Sequence, residues 1–348
     1  MHRATEVRIA RSHKPRWYRL QNDNGRAMKK LECIIFNVEH GFCSFIKSPN
    51  DYGLLVDFGS RGYFSPVKWV RGNYHLQKGN IELFEGRRIA EAFVSHLHMD
   101  HFDDVGSLKE QDKPKHLYRD KKTLPFIEKK IETEKDERNK TILVNFKNFQ
   151  ADYSEEVERD VDWGFDLFKH FQVPYTDAEE ASAGAEKLIN NRSYIVVVQF
   201  AGKKILFPGD IEVEGWKKAF DYSPFKKIVK DTNFFIASHH GHKSGFTSEI
   251  LEYTGIPDIF VVSAKSGDEA IDSSYSKPEL SNGYLVQGEG SKSRMISTRE
   301  KGNSIKITID EYGGNSMSWI DTPDNLDDHQ RKLLNRRTKR ILRGWGLK

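Results

Sequence analysis

The feature that most constrains this chain is a run of histidines and one aspartate that directly follows an apolar segment. The run His96-Leu97-His98-Met99-Asp100-His101 places three imidazoles and a carboxylate within six residues. Neutral imidazoles and carboxylates are ligands for zinc, manganese and iron. Residues two apart in an extended segment point the same way, so the side chains of His96 and His98 can face one metal position. Asp100 and His101 can then turn toward a second metal position. The run therefore predicts two adjacent metal positions, and the alternative is a histidine-rich surface turn.

Three further polar groups, one before this run and two after it, also follow apolar segments. They are Asp57, the sequence Pro208-Gly209-Asp210, and the cluster His239-His240-Gly241-His242. Each is unremarkable alone, because polar residues at a strand end are often ordinary turns. The two histidine clusters nevertheless hold six of the thirteen histidines. His40 also follows an apolar segment; we favour a turn-capping role for it, and an approach to the metals is the alternative.

The apolar segments have the length and composition of buried strands. They alternate with helical patterns, which favours an α/β sandwich. Several of them end in the polar residues just described, so we expect the site at one edge of the sheets. Residues 109–186 are charged and irregular except for a predicted helix at Pro125–Glu137. The predicted strands are Leu31–Val38, Gly53–Val56, Ile89–Val94, Tyr194–Phe200, Lys204–Phe207, Phe234–Ser238, Asp258–Ser263 and Ser304–Ile309.

Charge is concentrated at the two ends of the chain. Residues 1–30 contain nine Lys and Arg against Glu6 and Asp23, and residues 329–348 contain eight Lys and Arg and no acid. A solubilising role and contact with phosphate or a partner are both open. No apolar run approaches a membrane span, no secretory signal is recognisable, and two cysteines suit a reducing compartment. We expect a cytoplasmic protein without a membrane segment, of undetermined oligomeric state.

Taken in chain order, Asp57, the HxHxDH run, Asp210 and His240 resemble the metallo-β-lactamase superfamily. More narrowly, KILFPGDIE and ASHHGHKSG resemble the hydrolase domain of the DNA-uptake competence protein and its soluble stand-alone relatives. The resemblance implies a four-layer αββα sandwich over residues 31–320, with an insertion at about 109–186. A basic extension at 1–30 and a basic helix at 321–348 would flank that domain.

The resemblance also implies a role for each site residue. His96 and His98 would bind one divalent ion and Asp100, His101 and His240 a second, with Asp210 bridging the two; whether His239 or His240 is the ligand stays open. Asp57 would orient the loop or a ligating histidine. The two ions, zinc or manganese, would turn a shared water into a hydroxide nucleophile. The candidates for protonating the leaving group, or for meeting its charge, are His239, His242 and Lys243.

One departure from the superfamily pattern bears on the first ion. Many members carry another metal-binding histidine shortly before the Asp210 strand, whereas here the sequence reads Asn190-Asn191-Arg192-Ser193. Asn191 or Ser193 would then serve as a weak oxygen ligand, which favours manganese over zinc.

The function that these features favour is hydrolysis of phosphodiester bonds in a nucleic acid or nucleotide. One alternative is hydrolysis of a non-phosphate ester, thioester or lactone. The other is a non-catalytic module of the same fold that senses a nucleotide or binds a partner.

Overall fold

A computed structural model describes residues 28–62, 64–74, 89–153, 161–265 and 271–322 of the chain. Within them, thirteen strands form two sheets. The seven-stranded sheet has the order β13-β12-β1-β2-β3-β4-β5, and the six-stranded sheet has the order β11-β10-β9-β8-β7-β6. The basic segments at 1–27 and 323–348, including most of the predicted C-terminal helix, lie outside the described residues.

The strands of the first sheet are β1 (Lys30–Ile35), β2 (Ser44–Lys47), β3 (Gly53–Val56), β4 (Ile89–Phe93), β5 (His116–Tyr118), β12 (Ser304–Asp310) and β13 (Asn315–Ile320). Those of the second are β6 (Leu167–Phe171), β7 (Ile195–Phe200), β8 (Lys203–Phe207), β9 (Phe234–Ile236), β10 (Ile259–Val262) and β11 (Met295–Ser297). The described helices are α1 (Pro66–Asn73), α2 (Leu124–Thr133), α3 (Glu137–Ala151), α4 (Tyr175–Glu180), α5 (Ala185–Asn191), α6 (Val213–Phe220), α7 (Ser223–Val229), α8 (Leu251–Thr254) and α9 (Thr298–Lys301). None of them is long and apolar enough to cross a bilayer.

Each sheet buries both of its faces. In β1, Cys33 and Ile35 point into the core between the sheets, whereas Ile34 packs on the other face with residues of α1 and α3. In β7, Val196 points into the same central core, and Val197 packs outward with residues of α6 and α7. Burial on both faces explains the continuous apolar runs in the sequence. Helices therefore cover the outer face of each sheet, which gives the αββα sandwich.

All eight predicted strands are present, and the structure adds five that the sequence pattern did not indicate. The apparent hairpin between β1 and β3 contains a short strand, β2, that pairs with both neighbours. The predicted helix at 125–137 was wrong at its C-terminal end. It stops at Thr133, and the Asp136 side chain accepts hydrogen bonds from two backbone N–H groups to begin a second helix, α3. An aspartate N-cap starts a new helix rather than continuing an old one.

Residues 109–186 are more regular than the sequence indicated. They include β5, β6 and three complete helices, and α3 buries Leu143, Phe146 and Phe149 against the first sheet. A buried ion pair fixes the segment to the sandwich, since Arg192 donates through Nε and Nη2 to the two carboxylate oxygens of Asp120 at 2.9 and 2.7 Å. Both residues are at least 94% buried.

We expect Asp120→Ala to lower the free energy of unfolding by about 3–5 kcal/mol, because it leaves a buried guanidinium without its partner. Lys217→Ala, which breaks the exposed pair with Glu214, should leave stability unchanged. Denaturant unfolding of both variants measures the difference. Equal effects would show that the buried pair does not stabilise the fold.

Candidate metal centre

The predicted site residues come together because strand ends meet. β3 and β4 are parallel neighbours in one sheet, and β8, β9 and β10 are parallel neighbours in the other. The carboxyl ends of parallel strands lie at the same edge of a sheet, where ligands bind in α/β proteins. The residues that follow these five strands are Asp57, the run from His96 to His101, Asp210, the cluster from His239 to His242, and Ser263.

Asp210 lies at the centre of the cluster. Its Oδ2 atom is 3.7 Å from His96 Nε2, 3.5 Å from His101 Nε2 and 3.4 Å from His240 Nε2. The carboxylate is almost fully buried, and its backbone N–H donates to Ser193 Oγ at 3.0 Å. One oxygen therefore faces three imidazole nitrogens that come from both sheets.

Asp100 faces two of the same rings from the other side. Its Oδ2 atom is 3.5 Å from His240 Nε2 and 3.7 Å from His101 Nε2. Within the described residues, two groups of three have ligand atoms that all lie within 4.8 Å of one another. These groups are His96, His101 and Asp210, and Asp100, His101 and His240. His98 joins neither group, but its Nδ1 atom lies 3.0 Å from His96 Nε2.

An oxygen outside the cluster fixes the orientation of each ring. The buried Asp57 carboxylate accepts from Ser95 Oγ at 2.7 Å and from His101 Nδ1 at 2.8 Å. Ser95 Oγ, which donates its proton to Asp57, accepts from His96 Nδ1 at 3.0 Å. In the neutral form of each imidazole, these bonds place the proton on Nδ1 and leave the lone pair on Nε2.

The remaining two rings are also each held by a hydrogen bond from the nitrogen that points away from the cluster. His240 donates from Nδ1 to the Ser263 carbonyl oxygen at 3.2 Å, so its Nε2 faces the two aspartates. His98 is reversed: Nε2 donates to Glu186 Oε2 at 2.7 Å, and Nδ1 faces His96. Four imidazoles thus direct a ring nitrogen toward a space that two carboxylates border. Metal-bound histidines usually hydrogen-bond through their outer nitrogen in this way, so the residues fit a divalent metal.

The charges of the cluster balance one another despite burial. Burial alone would raise the pKa of Asp210, but His240 and His101 hold that pKa well below its usual value. Burial would lower the pKa of His240, but Asp210 and Asp100 raise it to about 10. The carboxylates are therefore ionised, and the positive charge that they attract here is that of protonated His240, whose Nε2 proton a bound metal would replace.

The backbone at the second histidine cluster is strained. His239 and His240 both have positive φ, at 51° and 54°, and each such residue costs about 1–3 kcal/mol. The turn brings His240, rather than His239, to the two aspartates. His239 Nδ1 instead lies 2.8 Å from Ser244 Oγ, and His242 Nδ1 lies 2.9 Å from the same hydroxyl. Lys243 is exposed beside them.

The structure gives Asn191 and Ser193 contacts that differ from the expected metal contacts. The Asn191 Oδ1 atom accepts from the backbone N–H of Glu212 at 3.0 Å, and Nδ2 donates to Ser182 Oγ at 2.9 Å. Ser193 Oγ accepts from the backbone of Asp210. These two residues hold the loop that carries Asp210, and their contacts favour this structural role over ligation.

Two neighbours of the centre were underestimated or missed in the sequence. The exposed ring of His40 stacks on His240 with a centroid distance of 5.7 Å, and its Nε2 lies 3.9 Å from Asp100 Oδ2. His40 thus lies at the rim of the site. This position fits an approach to the metals better than the turn-capping role that we favoured. Glu186 gave no signal in the sequence, because it is one acid among many in a charged segment.

Close backbone packing positions Asp100. Gly41 has a φ of +117° and lies so close that a Cβ atom there would collide with the carbonyl oxygen of Asp100. The Asp100 carbonyl also accepts from the backbone N–H of Phe42 at 3.4 Å. The loop after β1 therefore depends on a glycine to support the run from His96 to His101.

We expect Gly41→Ala to lower the thermal midpoint and weaken metal binding, because it adds a collision with Asp100 to the strain of positive φ. Gly288→Ala is the matched control, since Gly288 also has positive φ (+87°) but nothing within 4 Å of the added Cβ. Thermal unfolding and chelator competition measure both effects. Equal losses in the two variants would contradict a supporting role for Gly41.

Comparison with known proteins identifies the family. The sequence profile described as "Metallo-beta-lactamase superfamily" matches residues 37–257, more than half of the chain. The chain therefore belongs to the metallo-β-lactamase superfamily. Its members are generally hydrolytic metalloenzymes that bind divalent metals, often zinc.

The other comparisons are distant. Among solved structures, the chain is similar to Zn(2+)-bound PqqB from Methylobacterium extorquens at 11% identity and a TM-score of 0.31. The match covers 59% of this chain and 69% of that one. No curated protein matches.

Proposed function

We propose that this chain is a hydrolase of phosphodiester bonds that uses two divalent ions, zinc or manganese. The ions would be held by His96, His98, Asp100, His101, Asp210 and His240. The observation that carries the proposal is the set of four imidazole nitrogens directed at a space bordered by two ionised carboxylates. Such ions would polarise a phosphoryl oxygen and lower the pKa of a bound water.

The substrate class rests on sequence. KILFPGDIE and ASHHGHKSG are similar to the hydrolase domain of the DNA-uptake competence protein, and the basic ends of the chain suit a phosphate backbone. The groups around the centre also suit an anion. Lys243 adds a positive charge, and the Ser244 backbone N–H donates to His242 Nδ1 at 3.2 Å. That bond leaves the His242 proton on Nε2, where it can hydrogen-bond a leaving oxygen.

The experiment compares substrate classes with one metal-loaded preparation. We expect the protein reconstituted with manganese or zinc to cleave bis-p-nitrophenyl phosphate and single- or double-stranded DNA or RNA, and EDTA to abolish cleavage. Cleavage of carboxylic esters, thioesters or lactones instead would overturn the phosphodiester assignment. Full metal occupancy without any hydrolysis would favour a non-catalytic nucleotide or partner module.

We expect Asp210→Asn to lower kcat/KM for the phosphodiester by more than tenfold while the protein stays folded, because an amide cannot supply the charge that faces three imidazoles. Asp152→Asn, which alters an exposed acid paired with Lys113, should retain full activity. Activity of Asp210→Asn within about tenfold of wild type, or about 1.4 kcal/mol of barrier, would mean that the site is placed wrongly.

A separate prediction concerns the C-terminal segment, which lies outside the described residues. If its eight cationic side chains contact phosphates, removal of residues 331–348 should weaken nucleic-acid binding and flatten its dependence on salt. Fluorescence anisotropy with a labelled oligonucleotide at several salt concentrations measures both. The same affinity and salt slope in the truncated protein would support the solubilising role instead.

A further inference from the structure

His98 differs from the other three histidines in how its ring is held. Buried oxygens of Asp57, Ser95 and Ser263 fix the rings of His101, His96 and His240. The outer nitrogen of His98 instead meets a carboxylate whose side chain is 71% exposed, that of Glu186 on α5. The His98 ring itself is mostly buried, with 20% of its side chain exposed.

The contact determines which nitrogen of His98 is available. An ionised carboxylate only accepts hydrogen bonds, so the 2.7 Å contact requires the proton of a neutral imidazole to be on Nε2. The lone pair is then on Nδ1, the atom that lies 3.0 Å from His96 Nε2. Without the carboxylate, a neutral imidazole could carry its proton on Nδ1 and present no lone pair to the site.

We infer that Glu186 is a positioning residue for the first metal ion: it holds His98 in the tautomer and orientation that direct Nδ1 into the centre. The inference rests on the metal-binding role proposed above for His98. Glu186 lies against Nε2, the nitrogen on the far side of the ring from His96, and therefore acts through His98 rather than as a ligand in this arrangement. Carboxylate partners of this kind typically change metal affinity 10–100-fold.

The Glu186 carboxylate lies between two groups that can interact with its charge. It lies in the first turn of α5, after Gly184, whose φ of 102° begins the helix. Lys130 of α2 lies 3.9 Å from the second carboxylate oxygen, Oε1, so the group has a cation on one side and an imidazole on the other. The charged segment at 109–186 thus reaches the metal-binding run through its last residue.

This arrangement also bears on the missing superfamily histidine. Asn191 and Ser193 hydrogen-bond elsewhere, so under the proposed assignment the first ion would depend on His96, His98 and Asp210. With so few ligands, misorientation of one imidazole should cost that site more than it would cost the second.

The test uses Glu186→Ala, Glu186→Gln and a matched control, Glu214→Ala. Glu214 is also in the first turn of a helix, α6, and its side chain is 60% exposed and paired with a lysine. Calorimetric titration of the metal-free full-length proteins with zinc and with manganese gives the affinity of each site. Long-range ¹H–¹⁵N NMR of the histidine side chains reports the tautomer of His98.

We expect Glu186→Ala to weaken the weaker site 10–100-fold and to lose the pure Nε2–H signal of His98. Glu186→Gln should retain most of the affinity, because its amide oxygen accepts the same hydrogen bond, and Glu214→Ala should match wild type. Unchanged affinity and tautomer in Glu186→Ala would overturn the inference, and so would equal weakening in the glutamine and alanine variants. Failure of wild type to bind any metal would instead refute the metal centre itself.

Discussion

The carboxylate of Asp57 is the group on which the geometry of the site most depends. It is fully buried at the end of β3 and accepts three hydrogen bonds, from the Ser95 backbone, the Ser95 hydroxyl and His101. Burying a carboxylate costs several kcal/mol unless such partners offset it. The bond with the Ser95 hydroxyl leaves that oxygen as an acceptor for His96. One buried charge thus orients two histidines, and it fixes the beginning of the run from His96 to His101.

Much of the fold and of the centre could be predicted from the sequence for a simple physical reason. Strands buried on both faces read as continuous apolar runs, and the polar residues that end them must lie at the sheet edge. Asp57, Asp210 and His240 followed from that pattern and from the family resemblance. The tertiary contacts that complete the site have no such local signature. Glu186 is 88 residues from His98 in the chain, and nothing in the charged segment distinguishes it from neighbouring acids.

Residues 109–186 were expected to be irregular because the helices and strands there leave only a weak pattern in the sequence. The side chains that α3 buries are spaced three apart along an otherwise polar helix, and such a pattern is weak beside the apolar runs of the strands. The role of Asn191 is open in the sequence for a different reason. A buried amide at the end of a helix can bind a metal or satisfy polar groups nearby, and only the structure shows that Asn191 hydrogen-bonds Glu212 and Ser182 through its two polar atoms.

The centre exists only where the two sheets meet. Asp57 and the run from His96 to His101 follow strands of the first sheet, whereas Asp210 and His240 follow strands of the second. Hydrogen bonds also join the halves beside the site: Ser263 Oγ donates to the Gly41 carbonyl at 3.0 Å, and the Tyr194 N–H donates to the Ser95 carbonyl at 2.8 Å. Opposite charges from the two halves face each other across this edge, and the strained turn at His239 and His240 persists only because the surrounding contacts hold it. A cation bound between Asp100 and Asp210 would therefore stabilise the packing of the sheets as well as the site, and metal affinity would then be linked to folding stability.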